Sequence, residues 1–83
     1  MATVTFAHIR EQGVEFVAVI VTDSVVSSPQ QADQTIAGLQ LEFHHPVVLV
    51  GERNERWYGR RDLADFMSRV HPSRIPWRQG TFS

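Results

Sequence analysis

The sequence predicts an α+β fold: a two-layer sandwich in ββαββα order, in which two helices cover one face of a four-stranded mixed sheet and an extended arm follows. Two runs rich in Val, Thr, Phe and Ile flank a turn with a glycine, helical periodicity appears twice, and a fully apolar run separates the two helical segments. With 83 residues, 42% of them hydrophobic and 20% charged, the chain has the composition of one globular unit. We place this domain at residues 1–72 and the C-terminal arm at residues 73–83.

The first two strands are predicted at residues 3–9 and 14–22, joined as a β-hairpin by a turn that ends at Gly13. In the second run both alternating sets of residues are apolar from Phe16 onward. A strand that is apolar on both sides is typical of the centre of a sheet. The second strand is therefore expected to be central.

The first helix is expected to begin at Ser28, which is followed by Pro29 and, two residues later, by Gln31. Ser at the N-cap, Pro at the first helical position and Gln at the third form the pattern of a capping box. The helix is expected to end near His44, because the position before Pro46 disfavours a helical backbone.

Apolar residues recur along this helix at intervals of four, three and four, which defines one buried stripe. Gly38 lies inside the pattern at a cost of about 1 kcal/mol relative to Ala, which predicts that another backbone packs closely there. The stripe consists of Ala32, Ile36, Leu39 and Phe43, and we expect Ala37 and Leu41 to widen it.

Residues 47–50 are all apolar and predict a third strand, parallel to the second because a helix connects the two. Residues 51–55 form a turn, and residues 56–58 form a short fourth strand. A second helix follows Gly59 and ends before Pro72. Its core-facing residues, spaced i, i+3, i+4 and i+7, are Leu63, Phe66, Met67 and Val70.

The segment from His45 to Val70 contains an X-Pro step, an apolar strand, a hairpin, a short strand, a glycine and an acidic helix start. This order resembles the C-terminal half of thioredoxin and glutaredoxin-like domains and covers about a third of the chain. The resemblance implies that the strand, hairpin and helix pack as one unit. The chain has no cysteine, so the Cys-x-x-Cys motif of that family is absent and its redox activity is not implied.

The charged residues are distributed unevenly along the chain. Residues 1–50 carry one Arg and five carboxylates, a net charge of −4, whereas residues 51–83 carry seven Arg and four carboxylates, a net charge of +3. Every basic residue is Arg rather than Lys, which favours planar, bidentate pairing with carboxylate or phosphate. The overall charge of −1 argues against binding a nucleic-acid duplex through many phosphates.

Basic and aromatic residues alternate most densely between residues 53 and 61. Guanidinium groups beside a helix N-terminus favour an anion, and aromatic rings offer stacking surfaces for a nucleotide or a nucleic-acid single strand. Alternatively, nearby carboxylates pair with these arginines and the segment is an ordinary solvated surface. The candidate anion- or nucleic-acid-binding residues are Arg53, Arg56, Trp57, Tyr58, Arg60 and Arg61.

The leading functional hypothesis is a small, non-enzymatic interaction or accessory protein that forms a homodimer, with an unidentified protein as a further candidate partner. A domain of this size leaves apolar surface that a second copy can cover. Trp and Arg in the arm are common interface anchors, although Trp77 can instead enlarge the chain's own core. The candidate interface residues are Val25, Val26, Ile75, Trp77 and Phe82.

Metal and cofactor sites are not expected from the sequence. His44 and His45 are adjacent, so they normally point in different directions, and neither helix contains a His-x-x-x-His pair. The sequence also lacks a Gly-x-Ser-x-Gly elbow, so no enzymatic activity is expected. A small hydrolase or lyase would require the histidines, which also include His8 and His71, to converge in one pocket with an aspartate.

The sequence favours a bacterial-type cytoplasm and no contact with a membrane. Its longest apolar run is too short to span a bilayer, and no basic N-terminal region precedes an apolar core. The absence of cysteine makes a small secreted scaffold an unfavourable alternative.

Overall fold

The computed structural model describes residues 2–11, 13–53, 56–70 and 74–82. These residues form one mixed sheet with helices packed on it, which confirms the predicted α+β class. The strands are β1 (Ala2–Glu11), β2 (Val14–Val21), β3 (Val47–Gly51), β4 (Trp57–Tyr58) and β5 (Arg78–Phe82), and the helices are α1 (Asp23–Val26), α2 (Pro29–Phe43) and α3 (Arg61–Ser68).

The sheet has five strands in the order β4-β3-β2-β1-β5. β1 is antiparallel to β2, β2 is parallel to β3 as expected for a helical crossover, and β3 is antiparallel to β4. The prediction of four strands is one short, because the arm supplies β5, which pairs antiparallel with β1 from Ala2 to Phe6. β5 contains Arg, Gln, Gly and Thr before its phenylalanine, so it lacks the apolar run that reveals a strand in a sequence.

The two helices that the sequence predicts lie on opposite faces of the sheet, so the prediction that both cover one face is wrong. α1 and α2 cover the face that includes Val17 and Val19, which we call the α2 face. α3 covers the face that includes Phe16 and Ala18, which we call the α3 face. The chain leaves β4 at one edge of the sheet and enters β5 at the other, so it crosses the sheet on the face that α2 leaves open.

The α3 face is closed by α3 and by the segment that leads into β5. Leu63 and Met67 of α3, together with Ile75, are buried against the strands. The ring of Phe66 meets that of Phe16 edge-on, with centroids 6.2 Å apart. The unit of β3, β4 and α3 is present, as the resemblance to thioredoxin-like domains implied.

α2 begins and ends where the sequence predicts, but only one side of it is buried. The stripe from Ala32 to Phe43 packs on the α2 face, and the ring of Phe43 lies 5.0 Å from that of Phe6. Ser28 is the N-cap residue, but its side chain makes no capping hydrogen bond, so the capping box does not form. Ala37, Gly38 and Leu41 are exposed, and no atom would lie within 4 Å of a Cβ at Gly38, so the expected wider stripe and close packing are wrong.

The short helix α1 was not predicted, because four residues are too few to show helical periodicity. It buries Val26, and its Asp23 accepts a hydrogen bond from the backbone N–H of Arg53 at 3.1 Å. This bond ties the end of β2 to the turn between β3 and β4. Among the described helices, none has the length and apolar character needed to cross a bilayer.

Candidate functional site

The aromatic residues of segment 53–61 do not form a common stacking surface. Trp57 and Tyr58 are consecutive residues of β4, so they point to opposite faces: Trp57 packs on the α3 face and Tyr58 on the α2 face. The Tyr58 hydroxyl donates a hydrogen bond to Oδ1 of Asp33 on α2 at 3.0 Å. This hydrogen bond, with some loss of solvation, raises the pKa of Tyr58 above its ordinary value of 10.0.

The arginines of segment 53–61 are exposed and are not gathered into one cavity. Arg60 pairs with Asp62, with its Nη2 2.9 Å from Oδ2 and its Nε 3.3 Å from Oδ1. The hydrogen bond from Arg60 holds the pKa of Asp62 below its ordinary value, although loss of solvation opposes it. Tyr58 and Arg60 line a depression of about 240 Å³ whose wall also contains Asp33, an acidic group that disfavours an anion. Arg53, Arg56 and Arg61 lie outside that depression.

The residues predicted to form an interface mostly belong to the core. Val26 and Ile75 are 3% and 7% exposed, so both side chains belong to the core of the chain and present little surface to a partner. Val25 and Trp77 are half-buried: Val25 packs against the core on the α2 face and Trp77 against the core on the α3 face. Phe82 pairs through its backbone with Ala2, and its side chain lies outside the described part. The large apolar residues that are exposed in the described ranges are Val14 and Leu41.

A different set of arginines is brought together at the edge of the sheet. A groove of about 560 Å³ lies between the end of β1 and the C-terminal end of α3. Its lining combines apolar residues with three arginines, and we call it the basic groove. Its lining residues are Ile9, Phe66, Met67, Val70, Ile75, Pro76, His8, Arg10, Arg69 and Arg74.

The groove results from the register of β5. β5 pairs with β1 only as far as the Phe6–Arg78 pair, whereas β1 continues to Glu11 beside β2. Residues 7–11 therefore have a strand partner on one side only, within the described part of the chain. Ile75, which precedes β5, is buried on the α3 face, and residues 74–76 line the groove beside this free edge.

The groove is electrostatically basic. Arg69 and Arg74 are exposed and have no carboxylate within 4.0 Å among the residues that the structure describes. Arg10 makes one contact, with its Nη2 3.4 Å from Oε2 of Glu15. This cluster was not predicted, because Arg10 is distant in sequence from Arg69 and Arg74. The available signal was the excess positive charge of residues 51–83, which fits a basic surface but gives no location.

A second cavity, of about 350 Å³, lies on the α3 face and shares Met67, Val70 and Ile75 with the basic groove. It brings together Trp57 and Trp77, which the sequence analysis assigned to two different sites. Its walls are mainly apolar, with Glu52 and Ser68 as polar groups. The shared residues make this cavity a neighbour of the basic groove.

Two of the four histidines converge, contrary to the expectation from their spacing. His8 of β1 and His45, which precedes β3, stack with ring centroids 5.1 Å apart and planes inclined by 28°. Both reach Glu15 of β2: the Nε2 atoms of His8 and His45 lie 2.5 and 3.5 Å from its Oε2. We call these residues the His8–Glu15–His45 cluster. His44 is the exposed C-cap of α2, with φ 59°, and His71 lies outside the described residues.

The cluster holds Glu15 in its charged form. Loss of solvation acts to raise the pKa of Glu15, but the hydrogen bond and charge of Arg10, the charge of His45 and the hydrogen bond from His8 together lower it below 4.5. A carboxylate with two imidazoles and a guanidinium around it can take part in ion pairing, proton exchange or metal binding. The cluster was missed because His8 and Glu15 become neighbours only through the pairing of β1 with β2.

Comparison with known proteins finds no matching family, no similar curated protein and no similar solved structure. The basic groove and the His8–Glu15–His45 cluster are therefore the features from which a function can be inferred.

Proposed function

We propose that this protein is a non-enzymatic interaction module that binds an acidic, extended segment of a partner protein in the basic groove. The observation that carries the proposal is the placement of Arg10, Arg69 and Arg74 around an apolar floor, beside the free edge of β1. An anionic ligand would pair with the arginine side chains. An extended peptide backbone would form hydrogen bonds with the unpaired backbone groups of residues 7–11.

A peptide strand added beside residues 7–11 would continue the sheet where β5 departs from it. In this binding mode the backbone hydrogen bonds supply affinity and alternate side chains supply specificity. Side chains on one side of the added strand would contact the floor around Ile9 and Phe66 and the neighbouring cations Arg69 and Arg74. Side chains on the other side would face Arg10, so an acidic side chain on either side can form a charge-assisted hydrogen bond. The groove volume of about 560 Å³ lies within the range of established ligand sites.

Protein is the favoured ligand class because the groove has an edge strand and an apolar floor but few stacking surfaces. Phe66 is the aromatic residue other than His8 in its lining, whereas a nucleic-acid single strand is held by successive stacked bases. Homodimerisation through described apolar patches has little support, since Val25, Val26, Ile75 and Trp77 pack in the core. The sequence favours a cytoplasmic protein, so we expect a cytoplasmic partner.

Fluorescence anisotropy with a labelled heptapeptide of alternating Glu and Val tests the proposal, with a Gln and Val heptapeptide as the matched ligand. The acidic peptide should bind at least tenfold more tightly, and the difference should shrink as salt rises. Arg74→Gln should weaken binding about fivefold, whereas Arg61→Gln removes an equal charge outside the groove and should leave binding unchanged.

Three outcomes would contradict the proposal. Equal binding of both peptides would exclude the acidic ligand, and equal weakening by Arg61→Gln would show binding through net charge alone. Displacement of the acidic peptide by a single-stranded oligonucleotide at lower concentration would assign the groove to nucleic acid instead.

A further inference from the structure

We infer that the His8–Glu15–His45 cluster is a binding site for a divalent transition-metal ion of the zinc class. The site lies on the α2 face, where the β1–β2 hairpin meets the C-terminal end of α2. The inference is independent of the acidic-peptide function, although both features use the end of β1.

The three residues lie close to the spacing that a small ion requires. His8, Glu15 and His45 each offer one ligand atom, and these atoms all lie within 4.8 Å of one another. Ligand atoms about 2.0 to 2.2 Å from a tetrahedral zinc ion are about 3.4 Å apart, and the 3.5 Å between His45 Nε2 and Glu15 Oε2 agrees with that value. The 2.5 Å between His8 Nε2 and the same oxygen must widen by about 1 Å on binding. This movement is open to two side chains that are 44% and 31% exposed.

The donor set selects the class of metal. Two imidazole nitrogens and one carboxylate oxygen are typical ligands of zinc in sites that keep a fourth position for water or another ligand. Calcium and magnesium prefer oxygen ligands alone, so the two imidazoles disfavour them. The open fourth position would allow an external ligand to reach the ion.

The backbone holds the three ligands in place. His8 and Glu15 lie on paired antiparallel strands, close to the Arg10–Glu15 pair of the register. His45 precedes Pro46, whose carbonyl accepts a hydrogen bond from the backbone N–H of Val17 at 2.9 Å. All three ligands are thus fixed to the beginning of β2, so metal binding requires side-chain adjustment alone.

Arg10 opposes metal binding, because its guanidinium lies 3.4 Å from Oε2 of Glu15. Its side chain is 77% exposed and can turn toward solvent when a cation occupies the cluster. Arg10→Gln should therefore tighten metal binding about threefold, whereas it should weaken binding of the acidic peptide. Because this one substitution should strengthen metal binding and weaken peptide binding, it distinguishes the two sites.

Competition between the tag-free protein and a chromophoric zinc indicator measures the affinity, and Co²⁺ absorption reports the coordination geometry. We expect one zinc per chain and the intense visible absorption of four-coordinate Co²⁺. His8→Asn, His45→Asn and Glu15→Gln should each weaken zinc binding at least tenfold. His44→Asn is the matched control, because it removes an adjacent imidazole and keeps a residue that tolerates positive φ.

Zinc binding weaker than millimolar would overturn the inference, as would equal losses in His44→Asn and His45→Asn. Thermal unfolding of each variant in the absence of metal establishes that it is folded. Arg69→Gln should leave zinc affinity unchanged and His45→Asn should leave peptide affinity unchanged, so failure of one assignment is distinguishable from failure of the other.

Discussion

Segment 53–61 and the basic groove both combine arginines with aromatic or apolar residues, yet they differ in what the fold does with them. In the segment, β4 sends Trp57 and Tyr58 to opposite faces, and Arg60 pairs with its neighbour Asp62. In the groove, residues from β1, from the end of α3 and from the segment before β5 converge on one floor. Density of charge along a sequence is therefore a poor guide to density of charge in space, because alternation in a strand separates neighbours and pairing unites distant residues.

If segment 53–61 serves to build the fold, a substitution at its most tightly packed position, Gly59, should lower the free energy of unfolding. Gly59 has φ 146°, and a Cβ there would lie 3.0 Å from Cγ1 of Val48 and 3.2 Å from the carbonyl oxygen of Val47. Gly59→Ala should lower the free energy of unfolding by about 3 kcal/mol, as measured by urea denaturation.

Gly38→Ala is the matched control, because it adds the same methyl group at an exposed helical site with no neighbour within 4 Å. It should raise the free energy of unfolding by about 0.5 to 1 kcal/mol. Equal effects of the two substitutions would show that the close approach of Gly59 to β3 is unimportant.

The second test removes two arginines from each region in turn and compares the effects on peptide binding. The double variant Arg69→Gln and Arg74→Gln should weaken the acidic peptide about 30-fold, or about 2 kcal/mol, because both cations line the groove. The double variant Arg53→Gln and Arg61→Gln removes the same charge from the other region and should change anisotropy titrations less than twofold. The reverse ranking would assign the ligand to segment 53–61.

The third test concerns the hydrogen bond that holds Tyr58 on the α2 face. Tyr58 is the single tyrosine of the chain, so tyrosinate absorbance reports it alone, and its pKa should lie above 10.0. Asp33→Asn should lower that pKa toward its ordinary value, because it removes the acceptor and the negative charge.

The sign of the linked effect on stability follows from the direction of the shift. A folded-state pKa above the unfolded value stabilises the fold below the unfolded pKa, and that contribution is lost as pH rises through the folded pKa. The alkaline loss of stability should therefore be smaller in Asp33→Asn. An unchanged Tyr58 pKa in this variant would contradict the hydrogen bond between the Tyr58 hydroxyl and Asp33.

The smallest expected effect is at Asp62, whose pKa is lowered by Arg60. Its contribution to stability is present above the ordinary value of 3.8 and is lost as pH falls through the folded pKa. NMR titration should show a lower Asp62 pKa than in Arg60→Gln, with a difference that shrinks in high salt because the pair is exposed. A difference that resists salt would indicate a more protected pair.

Periodicity and terminal signals predicted most of the fold. The structure confirms the predictions that rest on local patterns. These are the hairpin, the limits of α2, the apolar run of β3 and the spacing of Leu63 and Met67. β5 escaped prediction because its strand character comes from pairing with β1 rather than from its own residues. The face that α3 covers depends on where β5 lies. The prediction that both helices cover one face was therefore wrong for the same reason.

Neither candidate site was predictable from spacing. His45 reaches β1 and β2, whereas its neighbour His44 is exposed. The cluster then depends on the register that places Glu15 opposite Arg10. A sequence-based search restricted to short motifs has no access to that register.

The pairing of Ala2 with Phe82 makes the two ends of the domain neighbours in one sheet. β1 can join β2 early through a short hairpin, whereas β5 must close a loop spanning nearly the whole chain, at a larger entropic cost. The basic groove beside residues 7–11 has two walls only after that closure. A peptide that binds there favours the closed chain by mass action, so occupancy should slow release of β5 and protect its amides from hydrogen exchange.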